Sequence, residues 1–162
     1  MPRPGAPGPH NDWAAAHVDR LLESYQRLTG RELHPGPTRG AERAQAVFEA
    51  GYALLSHGTE EDPVFNYGNH TALTLFEFAW DDFVRTPSRQ SAEPTRQDER
   101  ERFMRAVLEA GYSDDYSGVR ISAGGRRFTI DRVTVWNVVD HSGRLYGQAA
   151  TFRHWTDLPP AT

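Results

Sequence analysis

The sequence predicts an α+β fold: a five-stranded antiparallel sheet with helices over one face and an additional helix at the N-terminus. Three observations predict it. Residues 116–152 hold three runs rich in β-branched and aromatic residues, joined at Ala123-Gly124-Gly125 and at His141-Ser142-Gly143. Upstream, Val64-Phe-Asn-Tyr67 reads as a strand that feeds straight into a helical run over residues 70–78, with Asn69 placed to cap it. A further strand precedes it at residues 51–57, so two strands, a set of helices and three strands follow in order. Strands joined by short turns pair antiparallel, and helices must cover one face or its apolar residues would lie in water.

Residues 1–10, with four prolines among them, read as a disordered tail, residues 11–156 as one domain and residues 157–162 as a C-terminal tail. Asn11 or Asp12 can cap a helix starting at Trp13, whose Val18, Leu21, Leu22, Tyr25 and Leu28 form an apolar stripe ending at Gly30. That stripe predicts either a homodimer through the helix or a cover for the outer face of the sheet. A second helix is expected over residues 38–48. A short helical turn follows near residues 80–84. Thr95 and Asp98 resemble a capping box opening a helix with Phe103, Met104, Val107 and Leu108 on one face and Gly111 at its stop. In the long strand, Phe128 and Ile130 share parity with Trp136 and Val138 but not with Val133 and Val135. A bulge at Asp131-Arg132 would put Phe128, Val133 and Val135 on one face.

Composition narrows the function. All 18 basic residues are arginine and the net charge is −4, which argues against a nucleic-acid partner. No apolar run approaches the roughly 20 residues of a membrane span, and the N-terminus lacks a signal-peptide core, so no membrane partner is expected. Without lysine there is no Schiff base; without cysteine there is no disulfide, thiolate nucleophile or thiolate metal site. A cysteine-free chain suits a reducing, cytoplasmic setting. The histidines show no ligand spacing on any predicted helix, so no metal site is predicted, and the helix over residues 95–110 has no histidine to hold haem. A flavin bound without a cysteinyl adduct stays compatible with the sequence.

Eight segments in order then carry a resemblance: Leu55-Ser-His-Gly-Thr59, Asp62-Pro-Val-Phe-Asn-Tyr-Gly-Asn69, Ala72-Leu-Thr-Leu-Phe76, Pro87-Ser-Arg-Gln-Ser-Ala-Glu-Pro94, Tyr116-Ser-Gly-Val-Arg-Ile-Ser122, Gly125-Arg-Arg-Phe128, Val135-Trp-Asn-Val-Val-Asp140 and Gly147-Gln-Ala-Ala150. Together they resemble the MEKHLA domain family, over roughly residues 12–155. The family is related to PAS sensor domains. It resembles the C-terminal domain of plant class III homeodomain-leucine-zipper factors, and in bacteria it occurs as small stand-alone proteins. The resemblance implies a PAS-like fold and a sensory or ligand-binding role acting through a protein partner, with no established catalytic set. This sequence shows no homeodomain, zipper or START module, so plant DNA binding does not carry over.

Asn66, Tyr67, Asn69, Tyr116, Arg120, Trp136, Asn137 and Gln148 are polar or amphipathic groups set in apolar strands. Such groups need partners when buried: either one another and the backbone, or a ligand. The ligand reading places Tyr67 and Asn69 near Trp136 or Asn137 and Gln148, with Arg120 awaiting an anion and Phe76 and Trp80 as the helical wall of a pocket for a small organic molecule. The enzymatic alternative uses His57 and Asp62 as an acid-base pair in that pocket. A third reading is a pure interaction domain whose pocket is filled by its own aromatic side chains. His70, in the first turn of its helix, reads as solvated.

Overall fold

A computed structural model describes residues 3–36 and 38–160. In chain order the elements are α1 (Ala15–Thr29), α2 (Gly40–Phe48), β1 (Ala53–His57), β2 (Phe65–Gly68), α3 (His70–Phe76), α4 (Trp80–Phe83), α5 (Gln97–Ala110), β3 (Tyr112–Ile121), β4 (Arg127–Val139), β5 (Leu145–Phe152) and β6 (His154–Asp157). The sheet order is β2-β1-β5-β4-β3, antiparallel throughout. The helical stretch between β2 and β3 is what lets the first strand lie in the middle, beside the last long one.

Helices cover both faces. The cavity-forming face, under α3 and α5, carries Leu55, Val133, Val135, Gln148 and Ala150, and Phe76 of α3 lies over it. The opposite face lies under α1, whose Val18, Leu21, Leu22 and Tyr25 are buried. The stripe of α1 is therefore spent on the sheet of its own chain. Ser24 clamps the contact: its hydroxyl donates to the Val139 carbonyl at 2.7 Å and accepts the Val139 N–H at 2.9 Å.

The long strand changes phase at the bulge. Tyr116 lies opposite Val133 and Gly118 opposite Ile130, so β4 uses one residue more than β3 between the two pairs. Arg132 takes the extra step with φ 53°, in the left-handed region. Ile130, Val133 and Val135 consequently reach one cavity, and Trp136 turns to α1. Gly147 solves a second fit. At φ 145° any side chain there would be strained, and a Cβ would lie 1.9 Å from the His57 carbonyl oxygen.

Three boundaries differ from expectation. Residues 3–10 are not a loose tail: the Pro4 carbonyl accepts the Trp80 indole N–H at 2.9 Å, and Gly8 N–H donates to Asn11 Oδ1 at 3.0 Å. Asn11 thus closes a turn rather than capping a helix. Asp12, Trp13 and Ala14 all sit at positive φ, delaying α1 to Ala15. Residues 1 and 2 lie outside the described residues. At the other end, β6 pairs with Phe128–Asp131 as a short extra strand, and Leu158 N–H donates to the Arg127 carbonyl, so the fold runs past residue 156. Finally, α5 starts at Gln97 without a side-chain cap, behind a 3₁₀ turn at Pro94–Arg96.

Candidate functional site

Between the sheet and α5 lies a cavity of about 40 Å³. Its walls are apolar except for Arg100, Arg120, Tyr116, Gln148, His57, Ser56 and Ser91. Arg100 and Arg120 are 8% and 6% exposed. The Arg120 guanidinium donates to its neighbour's carbonyl, Val119, at 2.8 Å and to the Tyr116 hydroxyl at 3.4 Å. Tyr116 is held by stacking on Phe103, ring centres 3.8 Å apart. Neither guanidinium forms an ion pair among the described residues. Burial, and then the like charge of Arg120, pull the Arg100 pKa down to about 9, so it remains a cation at neutral pH.

A row of polar side chains crosses the same face. His57, Gln148 and Asn137 sit side by side on β1, β5 and β4. Gln148 Nε2 donates to the Met104 carbonyl at 3.0 Å and to Asn137 Oδ1 at 3.3 Å, and Asn137 Nδ2 donates to the Leu108 carbonyl at 3.1 Å. These bonds tie α5 to the sheet. His57 Nδ1 lies 3.0 Å from the Gly58 carbonyl, which can only accept, so Nδ1 carries the proton and Nε2 is bare. Burial lowers the His57 pKa to about 4 and keeps the ring neutral.

Three of the eight candidate residues meet at the cavity: Phe76, Arg120 and Gln148. Asn137 stands behind Gln148, one hydrogen bond away. The other four are elsewhere. Asn69 caps α3 and uses its whole amide internally: Oδ1 accepts from Leu54 and Ala72 N–H, and Nδ2 donates to the Val47 and Tyr52 carbonyls. Trp136 faces α1, where its indole donates to the Leu21 carbonyl at 3.2 Å and its ring meets Tyr25 edge-on. Tyr67 and Trp80 meet edge-on at 6.0 Å near His17 and the N-terminal segment, on the α1 side. The convergence of all eight on one pocket is thus corrected by the way alternate strand residues divide between two covered faces.

The acid-base pair does not form either. Asp62 is exposed and takes the Arg89 Nε–H at 3.1 Å, while His57 bonds the Gly58 carbonyl. Arg100 is the residue the sequence reading missed. It lies one and two turns before Met104 and Val107 on the inward face of α5, a spacing visible in the sequence but masked by the charged run around it. Two surface grooves, of about 260 and 320 Å³, also have Arg100 in their walls. Among the described residues no group of three or more His, Asp or Glu could hold a metal ion. No helix among them is long and apolar enough to cross a membrane.

The MEKHLA domain family matches residues 15–157. The chain belongs to that family. The MEKHLA chain is 26% identical to the homeobox-leucine zipper protein ATHB-9 of Arabidopsis thaliana, over 96% of this chain but only 19% of the plant protein. Among solved structures it resembles a PAS domain from Colwellia psychrerythraea (TM-score 0.60, 14% identity, 72% of this chain and 94% of that one). It also resembles the fungal blue-light photoreceptor Vivid in its light-state dimer (0.57, 14%, 83% and 90%). A third is the PAS domain, in complex with ethanol, of a LuxR-family transcriptional regulator from Burkholderia thailandensis (0.52, 22%, 70% and 95%). The fold of this MEKHLA domain is PAS-like.

Proposed function

We propose that this MEKHLA domain is a cytoplasmic sensory module that reads a small molecule in the cavity under α5 and reports it to a protein partner. The observation that carries this reading is the way α5 is held. Arg100 and Val107 are its only buried residues, and its links to the sheet are the hydrogen bonds from Asn137 and Gln148, the stack of Phe103 on Tyr116 and the half-buried Met104. A helix with only two buried residues over a cavity can shift when the cavity fills. Phe76, Arg120 and Gln148, with Arg100 and Tyr116, are the residues we assign to the site. The volume of about 40 Å³ is far below the roughly 300 Å³ of a drug-sized pocket, so a flavin does not fit while α5 stays where it is. A PAS domain found with ethanol supports a ligand of that smaller class. The homodimer gains no support from α1, whose stripe is buried on the sheet.

The same small volume favours a second reading, a pure interaction domain with a self-filled core. Native mass spectrometry of freshly purified protein separates the two. Added mass lost on denaturation supports the sensor. A bare mass, together with hydrogen exchange in α5 that no cell extract of small molecules slows, supports the interaction domain.

A further inference from the structure

We infer that the cavity is an anion site in which Arg100 and Arg120 take the carboxylate of a small monocarboxylate of two or three carbons. The inference deepens the sensory reading and rests on it. Of the three other arginines that this chain partly buries, two have carboxylates, Arg43 with Asp19 at 2.5 Å and Arg127 with Glu93 at 3.0 Å, and Arg20 lies over the Tyr146 ring. Arg100 and Arg120 are more buried and have none. A guanidinium taken out of water costs several kcal/mol unless an anion faces it, and two in one cavity add their mutual repulsion. Of the acids on α5, Glu101 favours the Arg100 cation, but by less than burial and Arg120 disfavour it. Glu99 lines one outer groove and Glu101 the other, and no carboxylate reaches the cavity itself. His57, the remaining titratable group there besides Tyr116, is neutral.

The geometry selects the class of anion. A guanidinium fork matches the two coplanar oxygens of a carboxylate. The Tyr116 hydroxyl already accepts from Arg120, so its proton is free to donate to the same group. Ile130, Val133, Val135 and Ala150 offer an apolar wall for a short alkyl tail. The volume corresponds to about three water-sized spheres, which suits two or three carbons with a carboxylate and not a nucleotide or a citrate-sized acid. Arg100 is common to the cavity and to both surface grooves, so an anion arriving from solvent meets it first.

The test uses the purified chain in low-chloride buffer at neutral pH, titrated calorimetrically with sodium propionate, propionamide, 1-propanol and inorganic phosphate, with melting temperature as a second readout. Propionate is expected to bind saturably and raise the melting temperature, and the two neutral probes and phosphate to do neither. Arg100→Gln and Arg120→Gln are each expected to weaken propionate about tenfold or more. The comparison of propionate with propionamide needs no variant, so a variant that fails to fold leaves the test intact. Propionamide or propanol binding as tightly as propionate overturns the anion inference and leaves the sensory reading standing. Tighter binding of phosphate overturns the choice of carboxylate. If none of the four probes binds, the anion inference and the cavity sensor both fall.

Discussion

Trp136 and Asn137 are neighbours on β4 and point to opposite faces of the sheet. Trp136 is shut in against α1, with its one polar atom bonded to the Leu21 carbonyl and its ring on Tyr25. Asn137 faces α5, where it joins a row of amides and a neutral histidine next to two cations. The α1 side holds apolar and aromatic surface with nearly every polar atom satisfied; Tyr67 Oη and Arg43 Nε are the buried exceptions. The α5 side keeps charge inside the protein without an internal counter-charge. The first arrangement fixes the helix on the sheet. The second holds its helix by a few hydrogen bonds, the Phe103–Tyr116 stack and the single buried apolar side chain of Val107. Strand parity thus sorts Trp136 of β4 from Asn137 on the cavity side.

The comparison breaks most visibly at Trp136. Trp136→Ala removes the largest fully buried side chain under α1 and should destabilise by about 3–5 kcal/mol. Chemical denaturation measures this, and a loss under about 1 kcal/mol would mean that α1 does not anchor the fold. On the other face, Asn137→Leu leaves the Leu108 carbonyl unpaired and should cost about 1–3 kcal/mol. Amide exchange should then quicken in α5 and remain slow in α1. Equal acceleration in both helices would show that the two faces are not held independently.

A smaller effect is expected with pH. The pKa of His57 is about 4 in the folded chain, against an ordinary value of 6.5. Between those values the unfolded chain binds the proton and the folded one does not, so stability falls as pH drops from about 6.5 towards 4 and is flat above. The slope is at most about 1.4 kcal/mol per pH unit from this residue. His17, which burial also lowers to about 4, adds a similar slope from the α1 side. His57→Gln should remove one share of the slope and leave the other. An unchanged slope in His57→Gln would show that this ring is protonated or solvated in the folded state.

Much of the fold was legible because its signals are local. The Gly124-Gly125 and Ser142-Gly143 turns, the Asn69 cap and the parity conflict around Asp131-Arg132 each depend on a few adjacent residues. The wrapped N-terminal segment was not legible, since proline and glycine look like a tail until Trp80 supplies a donor for the Pro4 carbonyl. The site was half legible. Alternation places Trp136 and Asn137 on opposite faces, but with helices over both faces it cannot say which side is the core and which the cavity. Arg120 stood out as a cation in an apolar strand. Arg100 did not, because Glu99, Glu101 and Arg102 around it make an inward arginine look solvated.

The claim that the α5 side carries charge at the expense of stability is tested most directly by one melting experiment. Arg100→Met keeps the bulk and apolar stem of the side chain and removes the buried charge. In carboxylate-free buffer the account predicts that the variant melts higher than the parent, by a few degrees for each kcal/mol gained. A variant that melts several degrees lower would contradict it, and would show that Arg100 is already satisfied within the fold.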